Sequence, residues 1–469
     1  MSKQDKDLRQ QVACEWLEQN YLNWGHLRHD IVTDRLQIRC ADSTGEEAIR
    51  RGGERQERWR NLTDKDINTM VCQCVQETQV NISVSEMFTA LKSDLVPAVH
   101  PIRAWLDGLP PYTPDQPDWI DWVASQVTVK PSLLSDDRPK GLLDRTSCCE
   151  TTALRDRTEG AERPMESLSE CNERSKANAY WRQCFKKWFV AMVASWMKDE
   201  VVNHTVLVFV GRQGIFKTTW MDHLIPPALR SYSSKLPLSG QISKDDRLRL
   251  CENAMLNIDE LDAICGREMN IVKSLLTSTD VNERAAYGRL KERRVRLASF
   301  CASTNNREFL TDVTGNRRWL PFEVESIQNP FHITLPYELI YAQAKALVES
   351  GRFIYWFDLE DIEQLEKHNE EFRAQDSEEQ LLPILFDVPA EGKGEFMTTA
   401  EISEKLVTYG GIKKPMALNR LGVLLGKAGY RTVTRGSRDA RVRGWIVYQR
   451  DNEQINANRR LLIHECVTV

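Results

Sequence analysis

The pattern of apolar and polar positions is clearest in the middle of the chain. Bulky apolar residues recur at steps of three and four over positions 181–196, which predicts a helix with one wide apolar face packed on a following sheet. Three apolar runs follow at 206–210, 254–258 and 295–302, and each leads into small, acidic or amide residues. Mostly apolar runs of this kind are typical of the buried strands of a parallel sheet. The pattern therefore predicts a central α/β domain over residues 178–330.

Residues 1–126 are interpreted as a small N-terminal α+β accessory module. Two runs at 27–32 and 35–40 flank a short turn, a spacing that predicts a β-hairpin. Thr63 and Ser83 each precede an acidic residue three positions later, which is the spacing of a capping box at the start of a helix.

Three other regions differ in composition. Residues 130–175 are rich in Ser, Thr, Asp, Glu and Arg, lack apolar periodicity, and are interpreted as a flexible linker or insertion. Residues 331–394 are interpreted as a helical connector, and residues 451–469 as a tail.

The pattern over residues 395–450 predicts two helices followed by a hairpin. Thr398 has capping-box spacing with Glu401, and the pair Gly410 and Gly411 ends the first helix. This order resembles a winged helix, a type of module that binds DNA or docks onto other proteins. Basic side chains in the hairpin favour the DNA interpretation. The candidate DNA contacts here are Arg435, Arg438 and Arg441.

Composition narrows the class of protein. The 469 residues are 41% hydrophobic and 28% charged, with a net charge of -5, which argues against a wholly basic nucleic-acid coat. The first residues lack the apolar segment of a signal peptide, and no apolar run reaches the length of a membrane span. The 12 cysteines form no C-x-x-C pair, so a zinc site is not expected, and a reducing cytoplasm is the expected setting.

The segment VLVFVGRQGIFKTT at 206–219 has the order strand, glycine-containing turn and helix start. This is the order of a phosphate-binding loop, in which glycines allow backbone N–H groups to face an anion and the helix adds its positive N-terminal end. Lys217 is expected to contact the β- and γ-phosphates of ATP, and Thr218 to bind Mg²⁺. The candidate nucleotide-binding residues are Gly211, Gly214, Lys217, Thr218 and Thr219.

Phe216 departs from the usual loop pattern G-x-x-x-x-G-K-[ST], which has a glycine before the lysine. That glycine lets the backbone close around the phosphates, and phenylalanine tolerates the same conformation poorly. Two interpretations stay open. The segment is a nucleotide site with an altered cradle, or it is an ordinary strand, turn and helix with a surface lysine.

Two later strands end in residues suited to nucleotide hydrolysis. The run at 254–258 leads into Asp259 and Glu260, which are expected to hold Mg²⁺ and to polarise the attacking water, respectively. A solvated acidic turn is the alternative. The third run leads to Asn305, which is a candidate contact for the attacking water or the γ-phosphate, or simply a turn residue.

Two basic segments complete the set. Arg317 and Arg318 share a short loop, and one of them is expected to act as an arginine finger that stabilises transition-state charge in a neighbouring subunit. Residues 280–294 carry basic side chains around a tyrosine and a glycine, a composition suited either to gripping a DNA backbone or to a solvated, salt-bridged surface. The candidate DNA contacts in this segment are Arg284, Tyr287, Arg289 and Lys291.

Taken in order, the segments GRQGIFKTT, NIDELD, ERAAYGRLKERR, ASFCASTNN and TGNRRWLPFEV resemble the virulence-associated protein E family. These are helicase-like P-loop ATPases of phages and mobile elements, related to superfamily 3 helicases. The resemblance covers residues 181–324 well and residues 1–126 faintly. It implies an AAA+-like core that assembles as a ring, a homo-hexamer, in the bacterial cytoplasm and acts near replication initiation, often beside a primase.

The resemblance assigns the residues above to the same roles and implies a DNA-facing hairpin in the basic segment before the third strand. The expected function is ATP-dependent unwinding of, or translocation on, single-stranded or forked DNA, with ATP and Mg²⁺ as cofactors. The first 126 residues show neither the acidic set nor the zinc ribbon of a primase, so a primase would be a separate partner. Two alternatives are a nucleotide-binding DNA regulator with little hydrolysis, and a DNA-stimulated ATPase that remodels a protein partner.

Overall fold

The described residues form two compact units. The first unit comprises Met1–Arg307 with Arg317–Glu371, and the second comprises Glu308–Asn316 with Phe372–Val469. Among the described residues, no helix is both long enough and apolar enough to cross a membrane. The computed structural model describes residues 3–40, 59–131, 168–236, 243–259, 261, 266–283, 292–310, 316–374, 376–389, 394–413, 415–436, 441–451 and 454–455.

The first unit opens with helices around a small four-stranded sheet, in the order β3-β2-β1-β4. β1 and β2 pair antiparallel from Leu27 opposite Ile38, which confirms the predicted hairpin. Capping boxes begin the helices that follow Thr63 and Ser83, as predicted. The elements are α1 (Lys3–Leu17), β1 (Leu27–Asp30), β2 (Arg35–Arg39), β3 (Trp59–Asn61), α2 (Asp64–Thr78), α3 (Val84–Leu91), β4 (Ala98–Val99), α4 (Pro101–Asp107) and α5 (Trp119–Ala124).

A six-stranded sheet forms the centre of the first unit, in the order β5-β12-β6-β11-β8-β7. The strands from β12 to β7 run parallel, and β5 is the antiparallel edge. The predicted α/β class with a parallel sheet is therefore confirmed. The elements are β5 (Val127–Val129), α6 (Leu168–Met197), β6 (Val206–Val210), α7 (Lys217–His223), β7 (Ser233–Lys235), α8 (Lys244–Glu252), β8 (Met255–Ile258), α9 (Gly266–Thr277), β9 (Asp280–Glu283), β10 (Glu292–Val295), β11 (Ser299–Thr304), β12 (Trp319–Ile327), α10 (Tyr337–Ser350) and α11 (Leu359–Asn369).

Burial explains why the sequence forms this sheet. Every residue of β6 and β11 is buried, which fits their continuous apolar and small composition. α6 packs on the sheet through fully buried Trp181 and Trp188, and the predicted apolar face is confirmed. The helix begins at Leu168, so the predicted linker over 130–175 is wrong in its last part. The described polar side chains near this end, Asn172, Glu173, Ser175 and Lys176, are exposed, and such a stretch shows no apolar stripe in its sequence.

The second unit has the predicted order of two helices and a hairpin. Thr398 and Glu401 form the predicted capping box, and Gly411 ends the first helix at a φ of 63°. Two short strands that the pattern did not predict, β13 and β14, pair with β16 beside the hairpin. That this region is a winged helix stays a prediction. The elements are α12 (Ser377–Leu385), β13 (Phe386–Asp387), β14 (Glu395–Met397), α13 (Thr399–Gly410), α14 (Leu418–Lys427), β15 (Arg431–Arg435) and β16 (Val442–Gln449).

Candidate functional site

The carboxyl ends of three neighbouring strands meet at one edge of the central sheet. β6 leads into the loop before Lys217, β11 into Asn305, and β8 into Asp259. In parallel sheets, ligands bind at this edge because loops and helix N-termini converge there. A cleft of ≈ 270 Å³ lies at this point. The residues that line it are Gln213, Gly214, Ile215, Phe216, Lys217, Thr218, Thr219, Asp259, Ser303, Thr304 and Asn305.

The loop between β6 and α7 turns through residues with positive φ. Gly211 has a φ of 152°, and a Cβ atom there would lie 3.0 Å from the carbonyl oxygen of Val324. Gly214 has a φ of 82°. Phe216 adopts a left-handed conformation with φ 66° and ψ 19°. The position before the lysine thus has the conformation that the usual glycine adopts freely, which confirms the prediction that phenylalanine is strained there.

Lys217 reaches back over the loop. It is 8% exposed, and its Nζ donates to the carbonyl oxygens of Gly211 and Arg212, the latter at 2.8 Å. The same Nζ lies 3.0 Å from Oδ1 of Asn305. Each of these three acceptors is neutral, so the contacts orient the ammonium group without neutralising it.

Oxygen atoms from three chain segments converge beside the lysine. The Thr218 hydroxyl donates to Oδ1 of Asp259 at 3.2 Å and lies 3.2 Å from the Ser303 hydroxyl. Ser303 in turn donates to the same carboxylate oxygen at 3.1 Å. The other carboxylate oxygen accepts from Lys235 Nζ at 2.6 Å.

The charge state of Asp259 follows from these contacts. Burial raises the pKa of its carboxyl. The hydrogen bond and charge of Lys235, with the hydroxyls of Ser303 and Thr218, lower that pKa by more than burial raises it. The net result is a pKa below the usual 3.8. Asp259 is therefore an anion at neutral pH, and hydroxyl and carboxylate oxygens are the ligands that Mg²⁺ prefers.

Two residues of this cluster were absent from the sequence-based set. Ser303 lies two residues before Asn305, and its position near the end of an apolar strand was the available signal. Lys235 lies at the end of β7, and no local pattern marks it, because its contact with Asp259 depends on the pairing of β7 with β8.

Arg317 and Arg318 lie at the opposite edge of the sheet. They belong to a short 3-10 turn directly before β12, whose first residue pairs with the first residue of β6. The length of β6, about 16 Å at ~3.3 Å per residue, therefore separates them from the loop at its far end. Arg317 is exposed and Arg318 is half-buried. Neither arginine is among the described residues that line the cleft.

Several predicted site residues fall outside the described residues. Glu260 is one, and the basic segment with Arg284, Tyr287, Arg289 and Lys291 is another. The strands that flank this segment are described. β9 and β10 pair antiparallel with Glu283 opposite Glu292, so residues 284–291 connect the two strands of a hairpin, as the resemblance implies.

In the second unit, the predicted basic hairpin is partly described. Arg435 and Arg441 are exposed, and Arg438 lies outside the described residues. The guanidinium carbon of Arg435 lies 4.9 Å from the centre of the Phe396 ring. Contact of these side chains with DNA stays a prediction.

Comparison with known proteins supports the resemblance. Residues 153–374 match the family model of the virulence-associated protein E-like domain. No curated protein matches the chain. The A-form apo structure of the NrS-1 C-terminal region, CTR(305–718), is similar at 10% identity and a TM-score of 0.43, over 92% of this chain and 99% of that one. Another apo structure of the NrS-1 C-terminal region (305–718) has 11% identity and a TM-score of 0.39, over 90% and 96% of the two chains. Likenesses of this size assign neither fold nor function.

Proposed function

We propose that this chain, which carries a virulence-associated protein E-like domain, is an ATP-hydrolysing DNA helicase or translocase of a phage or mobile-element replication system. The observation that carries the proposal is the meeting of Lys217, Thr218, Asp259 and Asn305 in one cleft at the carboxyl edge of a parallel sheet. These residue types serve phosphoryl transfer in P-loop ATPases.

The loop fits the phosphates of ATP. Gly211 and Gly214 take positive φ values, and Phe216 takes the conformation that glycine has at its position, so the loop closes despite the substitution. Lys217 would exchange its neutral carbonyl partners for the β- and γ-phosphates, and backbone N–H groups at the start of α7 would donate to the same anion. The cleft thus supports binding of a nucleoside triphosphate.

The oxygen cluster fits Mg²⁺. Thr218 and Asp259 would hold the ion, with the Ser303 hydroxyl keeping the carboxylate in place. When bound, Mg²⁺ would neutralise charge on the β- and γ-phosphates. Lys235 holds the same carboxylate with a positive charge and would have to move aside.

Hydrolysis needs a base and a contact for the γ-phosphate. Glu260 follows Asp259 directly and would accept the proton of the attacking water. Asn305, already oriented by Lys217, would contact the water or the γ-phosphate. Because Arg317 and Arg318 lie at the far edge of their own sheet, one of them would act on a neighbouring subunit, which supports a ring such as a homo-hexamer.

DNA would be the polymer on which the ATPase acts. The hairpin connection 284–291 carries cationic and aromatic side chains that suit a single-stranded or forked DNA backbone. Exposed Arg435 and Arg441 in the second unit would add a further contact. A separate primase would supply primers.

A nucleotide-binding DNA regulator with little hydrolysis is the second candidate, and the observation that favours it is a phenylalanine in a strained position of the loop. Glu260→Gln separates the two. For the helicase, the variant binds ATP as the wild type does but loses ATP hydrolysis and displacement of a labelled strand from forked DNA. Wild-type protein that binds ATP but neither hydrolyses it nor displaces the strand favours the regulator. Hydrolysis without strand displacement favours a DNA-stimulated ATPase that remodels a protein partner.

A further inference from the structure

We propose that Phe331 is the stacking platform for the nucleobase of the bound nucleoside triphosphate, an assignment that rests on the proposed nucleotide site. Phe331 lies in the 3-10 turn Pro330–His332, shortly after β12, and is 68% exposed. Its ring is 6.4 Å from the ring of Phe216, which lines the cleft, and 5.5 Å from the ring of His223 on α7.

The strand order of the central sheet separates the predicted phosphate site from Phe331. Lys217 points toward Asn305 on the β11 side of β6, and Asp259 lies one strand further in the same direction. β12 lies on the other side of β6, and Phe331 follows the carboxyl end of β12. The groups suited to phosphates and Mg²⁺ are thus on one side of β6, and the ring of Phe331 follows the strand on the other side.

α7 leads from the cleft toward Phe331, because it carries both Thr219 and His223. Thr219 lines the cleft, and His223, one turn later, has its Nδ1 2.7 Å from the carbonyl oxygen of Thr219. A nucleotide with its phosphates over Lys217 and its base beyond Thr219 would therefore reach Phe331.

The turn holds the backbone of Phe331 in place before any ligand binds. Oδ1 of Asn329 accepts from the backbone N–H of Phe331 at 3.0 Å, and Pro330 is buried. Both aromatic contacts are close to perpendicular, at 81° and 90°, and most of the residue stays open to solvent. An accessible aromatic ring on an ordered turn is suited to stacking, because the backbone loses little freedom on binding.

The test compares ATP with inorganic tripolyphosphate, each with Mg²⁺, by calorimetric titration of the full chain. Phe331→Ala is expected to weaken ATP binding roughly 5- to 150-fold, the range found for stacking of one base, and to leave tripolyphosphate binding unchanged. Phe331→Tyr is expected to retain the wild-type affinity. Trp356→Ala is the matched control, since Trp356 is an exposed aromatic residue (56%) of the same unit whose described ring contact is with Tyr355 and not with a residue of the cleft.

Each other outcome overturns the assignment. If Phe331→Ala lowers the affinity for ATP and for tripolyphosphate equally, the ring acts through the loop. If Phe331→Ala leaves the affinity for ATP unchanged, the base lies elsewhere. Both results leave the proposed nucleotide site standing if Lys217→Ala abolishes binding of both ligands. Failure of the wild type to bind either ligand would refute the nucleotide site itself. Because the Phe331 side chain is largely exposed, its removal is expected to leave thermal unfolding unchanged.

Discussion

Replacement of Phe216 by glycine and by alanine tests whether the phosphate loop is strained. A left-handed conformation costs a non-glycine residue about 1–2 kcal/mol, and Phe216 has φ 66° and ψ 19°. Glycine removes this cost, whereas alanine keeps it. Both variants lose the contacts of a half-buried ring, worth about 1–2 kcal/mol by comparison with full burial of phenylalanine. Glycine also loses about 0.5–1 kcal/mol through the greater freedom of its unfolded chain.

These terms predict different outcomes for the two substitutions. Phe216→Gly is expected to change the free energy of unfolding by no more than about 1 kcal/mol, and Phe216→Ala to lower it by about 1–2 kcal/mol. The glycine variant is therefore the more stable by about 0.5–1 kcal/mol, the reverse of the usual order in helices and strands.

Urea unfolding followed by tryptophan fluorescence measures this difference, because the first unit contains the fully buried Trp181, Trp188, Trp196, Trp220 and Trp319. An alanine variant as stable as the glycine variant would refute the strain at Phe216. Glycine is also expected to preserve ATP binding, since it is the usual residue at this position of the loop.

Three further predictions concern residues around the site and the core. Lys235→Ala removes the cation that contacts Asp259, so half-maximal ATP binding is expected at a lower Mg²⁺ concentration. Lys235→Arg keeps a cation there and is expected to leave the Mg²⁺ dependence unchanged. An unaltered Mg²⁺ dependence in Lys235→Ala would contradict the idea that Lys235 occupies the position of the ion. Arg296 is fully buried and donates to the backbone carbonyls of Asn203, Leu275 and Leu276. Arg296→Met leaves these carbonyls without a donor and is expected to lower the free energy of unfolding by about 3–5 kcal/mol in the urea assay. A loss below about 1 kcal/mol would contradict this expectation. Burial lowers the pKa of the helix-capping His100 from 6.5 to about 4, so the folded state binds fewer protons than the unfolded state between these values. The contribution of His100 to stability is complete above pH 6.5 and is lost as the pH falls to about 4. His100→Asn keeps a helix cap but does not titrate, so its melting temperature is expected to vary less with pH over that window. An unchanged dependence of the melting temperature on pH would exclude His100 as the group responsible.

Local signals account for most of what the sequence predicted. The apolar run of β6, the glycines after it and the capping boxes at Thr63, Ser83 and Thr398 each act over a few residues, and the structure has all of them. The contacts of Asp259 with Lys235 and Ser303 depend on strand order, which joins positions far apart in the chain. A sequence pattern of period two or four contains no information about that order.

The arginine pair shows a different limit. The sequence predicts that one of Arg317 and Arg318 serves phosphate chemistry in a neighbouring subunit, and the structure puts both at the amino end of β12, away from the cleft of their own chain. That role stays a prediction, because it depends on a neighbouring subunit and no local pattern encodes the position of one. The start of α6 at Leu168 was missed because the sequence there lacks the apolar periodicity of a core-facing helix.

ATP hydrolysis with and without single-stranded DNA, beside Lys217→Ala, tests the central claim most directly. Lys217 is expected to be essential because it lines the cleft and its ammonium group contacts the loop and Asn305. The account predicts hydrolysis that DNA stimulates and that the substitution abolishes. Hydrolysis no greater in the wild type than in Lys217→Ala, with DNA binding intact, would contradict it.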